Sequence, residues 1–386
     1  HGEDSIGAEI VRRMPPGAYV EAYPIVGQGS AYEGLCPVVG PRSEIPSQGW
    51  RHSRGSVLRD IPAMLASIPG AVVFLRNGRQ RYARTIVIGD AVGLYLAYVA
   101  RLPIDIYLDV FKSGYAHHYS AGERWIIRRT CRTVFCRDTM LSQQLKTVGI
   151  DGQSFGNVMM DTVADAPYDA MGRRAHAQAV TLLPGSRSTT PQALALQALA
   201  LQQILPRHRL DVFVAVAEGT DIAKLAAATG MTWQPSAGTS PTDMGRLEGH
   251  GLVFHMARGA LRSVVDAADV VLSQAGTATQ QALGLAKPVI TFNVPTNRRK
   301  RMRDEQALMG DSRILTAPDA NAVAAALEGL LNDDADRLRR GQVGQDRLGH
   351  AGTLDAVLAA LFETPSVGPA SRSEGLPDPE AGADER

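Results

Sequence analysis

Cysteine is scarce in this chain: Cys36, Cys131 and Cys136 are the three in 386 residues. Their number is odd and their spacing is not that of metal ligands, which excludes a disulfide framework and a cysteine zinc site and fits a reducing, cytoplasmic setting. Long apolar runs are missing too. The most apolar stretch, TIVIGDAVGLYLAYVA, is broken by Asp90, and no basic-then-apolar leader opens the chain, so neither a membrane span nor an export signal is expected. Charge of one sign is absent as well: forty basic against thirty-nine acidic side chains leave +1, a balance that selects neither nucleic acid nor an acidic partner. No Asp-x-Asp pair follows a strand-like run, so no metal and no other cofactor is expected.

What the sequence does have is apolar content, 45% against 20% charged, and a length that favours two domains over one. Short apolar runs alternate with helical stretches. GAVVFL (70–75), RTIVIGD (84–90), PIDIYLDVF (103–111) and TVFCRD (133–138) read as strands of a first half. QAVTLLPGS, RLDVFVAVA, GLVFHMA, ADVVLSQAG and KPVITF repeat the rhythm in a second half. Continuous apolar runs bounded by glycine and proline and followed by helices predict parallel strands covered on both faces, hence an α/β protein of two doubly wound domains with a cleft between them. The expected division is 1–165 and 166–362, with the last helices packing back on the first domain. The remainder, 363–386, is rich in Pro, Gly, Ser and acid and is expected to be disordered.

Ligands of such sheets bind beyond the carboxyl ends of the strands, and three stretches there carry chemistry. In LLPGSRSTTP, Gly185 permits a tight turn, Ser186, Arg187 and Ser188 offer donors, and Pro191 presets a helix, so free N–H groups and a guanidinium meet where a diphosphate can sit. In SQAGTATQQ, Gln274, Ala275, Gly276, Thr277, Ala278, Thr279 and Gln281 form a second turn of small residues with room for phosphate. In FGNVMMD, Asn157 and Asp161 stand where one domain passes to the other.

In this order and spacing the three stretches resemble the lipid-A-disaccharide synthase family of two-domain, GT-B-type glycosyltransferases, over nearly the whole chain to about residue 360. The family has a Leu-Pro-Gly-Ser-Arg turn, here Leu183 to Arg187, a Ser-Gly-Thr-Ala-Thr-x-Glu turn, here AGTATQQ, and a Gly-x-x-x-x-Asp hinge, here Gly156 to Asp161. The resemblance implies that these hold the nucleotide diphosphate and ribose of a UDP-sugar. It also reads the opening GEDSIGA as a shortened form of the family's loop after its first strand. The first strand is therefore expected upstream of His1, and a helix is expected to begin near Ile6 under an Asp4 or Ser5 cap. Two departures stand out. Gln281 occupies the place of a carboxylate that would accept both ribose hydroxyls, and VFKSGYAHHYSAGERW replaces a Trp-rich stretch, so the acceptor pocket differs.

An inverting transfer needs a base for the acceptor hydroxyl and cations or dipoles for the leaving diphosphate. By the resemblance Asp90 takes the place of a catalytic-type Asp, with Glu3 and Asp4 of the opening loop as alternatives; His117 and His118 read as solvated surface. Two basic stretches could address a lipid-linked acceptor at an anionic membrane surface. One places Arg124, Arg128 and Arg132 at helical spacing beside Trp125, an interfacial helix or an ordinary amphipathic one. The other, NRRKRMR (297–303), is a phosphate or head-group site or a solvated loop. The expected protein is a cytoplasmic glycosyltransferase at the inner face of the membrane. A nucleotide-sugar 2-epimerase or hydrolase of the same architecture, or a non-catalytic nucleotide-sugar-binding relative, is the alternative.

Overall fold

A computed structural model of the chain describes residues 2–42, 54–238, 240–293 and 299–363. Two sheets organise it. The first contains β1 (Ile86–Gly89), β2 (Ile104–Asp109), β3 (Cys131–Phe135) and β4 (Gly152–Gln153), parallel and adjacent in chain order. The second contains β5 (Gln178–Leu183), β6 (Leu210–Val216), β7 (Thr232–Gln234), β8 (Asp243–Gly249), β9 (Leu252–Arg258), β10 (Val270–Ser273), β11 (Val289–Phe292) and β12 (Arg313–Thr316). Its spatial order is β12-β11-β10-β5-β6-β9-β8-β7, parallel as far as β9 and closed by an antiparallel edge of β8 and β7.

Side-chain alternation along the strands builds a core on each face. Tyr107 and Val134 face a layer holding Leu94, Ala97 and Ile127, while Ile106, Leu108 and Phe135 face the other way, onto Ile6, Ile10, Leu354, Val357 and Leu361. Across the second sheet, Val180, Leu182, Val212 and Val214 pack on helix Thr190–Ile204, and Ala179, Leu183, Phe213 and Val271 pack on the opposite layer. The helix Thr353–Glu363 thus covers the first sheet although it ends the described chain.

Several sequence expectations are corrected. GAVVFL is no strand but part of the helix Arg54–Arg81. Ala71, Leu75 and Gly78 turn inward at helical spacing while Val73 is 60% exposed, so the period is that of a helix and the paired valines mislead. The opening helix runs from Gly2 to Arg12, which places Asp4 and Ser5 inside it instead of at its cap. Arg132 leaves the supposed arginine face because the helix Ala121–Thr130 ends before it and Arg132 lies in β3. The pair β7 and β8, the short β4 and β12 carry no strong apolar run and escape the reading. Residues 364–386 and part of NRRKRMR lie outside the described residues.

Candidate functional site

In the second sheet β5 leads to β6 on one side and lies beside β10 on the other, so the strand order reverses between β5 and β10. The two loops leaving this switch point are the two turns singled out in the sequence. Gly185 has φ +101, accessible to glycine without strain, and a Cβ there would stand 3.3 Å from the Gln274 carbonyl oxygen. The Gln274 amide donates to the Leu183 carbonyl at 2.8 Å, so the turns lie side by side. Ser186, Arg187 and Ser188 are exposed, and the Arg187 carbonyl accepts from Thr190 N at 2.9 Å, which closes the turn into helix Thr190–Ile204. The Thr190 hydroxyl is buried without a hydrogen-bond partner among the described residues and lies 3.8 Å from the Cβ position of Gly185. Sequence reading passed over Thr190; the signal was its place at the first position of that helix.

The second turn opens helix Thr277–Gly284 without a side-chain cap, and a Cβ on Gly276 would meet open space. Uncapped N–H groups with room before them suit an anion. Gly276 and Thr277 are exposed, and Ala275 and Ala278 are half-buried. The other polar side chains of the turn look inward. Thr279 donates to the Ala275 carbonyl and pairs with Ser273 Oγ, each at 2.6 Å; Gln274 Nε2 donates to the Phe292 carbonyl at 3.0 Å. Gln281 is buried and gives its Nε2 to the Met159 carbonyl at 2.9 Å. These groups shape the turn and tie it down.

Asn157 is also a clasp. It is 1% exposed; its Nδ2 donates to the Leu348 carbonyl at 2.6 Å, its Oδ1 accepts from Met159 N at 3.1 Å, and its backbone N–H reaches the His350 carbonyl at 2.8 Å. Its Nδ2 and backbone N–H serve the chain crossing, while its Oδ1 caps the short helix Val158–Asp161. Gly156 abuts the His350 carbonyl so closely that no Cβ fits. Asp161 accepts from Gly352 N at 2.7 Å and Leu354 N at 3.2 Å and caps the last helix; burial raises its pKa above the usual carboxylate range although these amides pull the other way.

At the carboxyl ends of the first sheet, Asp90 caps helix Ala91–Ala100 by accepting from Val92 N at 2.9 Å. Glu3 is beside it: its Cγ lies 3.2 Å from the Cβ position of Gly89. Asp4 instead faces Tyr32, whose hydroxyl is held protonated by burial and by that charge. Asp109, the last residue of β2, is 1% exposed and accepts from Tyr119, from Tyr107 at 3.2 Å and from Phe111 N and Lys112 N at 2.7 and 2.8 Å; burial raises its pKa. It organises the loop in which His117 stacks on Phe111 with ring centroids 4.4 Å apart. That loop touches the second domain, where Ala116 enters the core and Arg347 lies over Tyr115 at 4.5 Å. Arg137, after β3, reaches Gln280 of helix Thr277–Gly284 at 2.8 Å. Loops that follow strands of the first sheet therefore touch the second half of the chain.

Neither family models nor curated proteins match the chain. Solved structures do. CalG4, the calicheamicin glycosyltransferase, superposes with a TM-score of 0.57 at 14% identity over 93% of this chain and 94% of that one. MurG of Acinetobacter baumannii gives 0.57 at 11% identity over 94% and 96%. The fold is GT-B. UDP-GlcNAc 2-epimerase from Neisseria meningitidis, solved with UDP-GlcNAc bound, gives 0.52 at 10% identity over 94% and 96%.

Proposed function

We propose that the chain is a metal-independent glycosyltransferase that moves a sugar from a UDP-sugar to a lipid-linked acceptor, with residues 1–165 on the acceptor side and 166–362 on the donor side. The observation that carries this is the pair of glycine turns set side by side at the switch point of the second sheet, each opening a helix toward the cleft. The leaving diphosphate is taken by the amides of Gly185 to Ser188, by Arg187 and by the uncapped start of helix Thr277–Gly284, with the Thr190 hydroxyl available beneath. These charges and dipoles do the work a metal would do. Asp90 is the base, its second carboxylate oxygen taking the acceptor proton; Glu3 is next in line, with Asp4 behind it.

Support for a lipid acceptor comes from the flank of the first sheet. Tyr95, Val99 and Trp125 are exposed on neighbouring helices, Tyr98 stacks edge-on to Trp125 at 5.4 Å, and Arg129 lies 4.3 Å over the Trp125 ring. Aromatic and aliphatic groups beside an outward arginine suit an anionic membrane surface at the cytoplasmic face. Arg124 and Arg128 contribute less, since they bond the carbonyls of Tyr119 and Val148. Among the described residues no helix is long and apolar enough to cross a membrane. The Neisseria epimerase supports the second reading, epimerisation of a nucleotide sugar without an acceptor. Turnover of UDP-GlcNAc alone, against turnover that requires added membrane lipid, separates the two. Arg187→Ala is expected to lose about 2 to 4 kcal/mol of transition-state stabilisation, roughly 30-fold to 1,000-fold in rate. Unchanged UDP affinity and unchanged turnover in that variant would remove the donor-site assignment.

A further inference from the structure

Arg137 is a buried cation that makes no salt bridge among the described residues. It is 5% exposed, and its guanidinium is held by neutral groups: Nη2 donates to Gln280 Oε1 at 2.8 Å, Nη1 makes a long 3.5 Å contact to the Val110 carbonyl, and buried Nε has no partner among the described residues. Asp138 and Asp109 are the carboxylates that act on it through space. Both are committed elsewhere: Asp138 accepts from Gly114 N and Leu141 N, and Asp109 from two tyrosines and two amides. Burial lowers the pKa of the guanidinium, so its surroundings disfavour the charge it carries. A buried charge that no carboxylate contacts directly is destabilising and is not needed for packing.

Its surroundings point to what would compensate it. Gln280 is the fourth residue of helix Thr277–Gly284, and helical side chains lean toward the N-terminus, so the Gln280 amide and the guanidinium it holds lie over the first turn. That turn has no side-chain cap and has open space in front of Gly276. We propose that Arg137 is a donor-binding residue supplied by the first domain: when a nucleoside diphosphate arrives, the guanidinium exchanges the neutral Gln280 oxygen for a diphosphate oxygen at the start of this helix. The inference rests on the donor-site reading above and deepens it. Because Arg137 stands at the end of β3, donor occupancy then draws the first sheet onto the second, and the acceptor side is set only when a donor is in place. Nothing in FCRD betrays this role, since Gln280 is 143 residues away in sequence.

The test is calorimetric titration of UDP into the full chain, with melting temperature measured in parallel. Arg137→Met is expected to bind UDP at least tenfold more weakly while melting at or above the wild-type temperature, because an apolar chain replaces an unpaired buried charge. Gln280→Glu gives the guanidinium a permanent anion, so UDP again binds at least tenfold more weakly and the melting temperature rises. A purely structural latch would instead lower the melting temperature in Arg137→Met and leave UDP affinity alone, and either result would overturn the inference. Should Arg137→Met fail to fold, unchanged UDP affinity in Gln280→Glu would overturn it equally. A wild-type chain that binds neither UDP, ADP nor GDP would overturn the donor-site reading and this inference together, whereas a wild type that binds UDP no better than Arg137→Met overturns the inference alone.

Discussion

Replacing Asn157 by Ala separates a clasp from a ligand-binding residue. The substitution takes a partner from one buried and one half-buried backbone group, the Leu348 carbonyl now held at 2.6 Å and the Met159 N–H held at 3.1 Å. The buried carbonyl costs about 1 to 3 kcal/mol and the half-buried amide about 1 to 2 kcal/mol, and little apolar surface is lost, so the total is about 2 to 5 kcal/mol. Spread over a cooperative unit of this size, that is a fall in Tm on the order of 5 to 15 °C. Calorimetric melting checks it, and titration with UDP accompanies it, because a clasp leaves nucleotide affinity near that of the wild type. Asn157→Asp adds a pH signature. Its buried carboxyl would have a raised pKa and could donate to the Leu348 carbonyl only when protonated. Its stability would thus be present below the unfolded carboxylate pKa and lost as pH rises through the folded one. An Asn157→Ala chain that melts like the wild type but no longer binds UDP would refute this reasoning and return Asn157 to the donor site.

Asp90→Asn is expected to cut turnover roughly 100-fold with no loss of melting temperature, because Asn caps a helix as well as Asp; a near-normal rate passes the role of base to Glu3. Asp161 has a raised folded pKa, so the native state holds its proton longer than the unfolded one and stability falls as pH rises through that window. Urea midpoints of Asp161→Asn should therefore fall less steeply than wild type as pH rises above the unfolded carboxylate value of about 3.9, and identical slopes would contradict the assignment. Arg129→Glu combined with Trp125→Ala is expected to abolish flotation with vesicles containing phosphatidylserine while UDP binding persists; unaltered flotation would remove this flank as the membrane surface.

The glycine turns were legible because their chemistry is local: a tight turn, a helix start and small residues are all written within ten positions, and both lie where the sheet reverses. The apolar strands were legible for the same reason. The helix over 70–75 was not, since Val72 and Val73 satisfy a strand pattern over six residues and only the burial of Ala71 and Gly78 against exposed Val73 reveals the longer period. The inward roles of Thr279, Gln281 and Asn157 depend on the partners Ser273, Met159 and Leu348, and the latter two are set by the packing of one domain on the other. A motif states which residues stand together in the chain, and it leaves open which side of the turn their hydrogen bonds face.

The return of helix Thr353–Glu363 to the first sheet sets the order in which the protein can be completed during synthesis. Asp161 holds the start of that helix across 193 positions of sequence, nearly all of the second domain. At roughly 5 to 20 residues per second, the face carrying Ile106, Leu108 and Phe135 waits about 10 to 40 seconds for Leu354, Val357 and Leu361. Ile6, Ile10, Met14 and Val158 are made early enough to shield part of it. A substitution that slows folding of the second domain would therefore be expressed as self-association through the first, far from the altered residue.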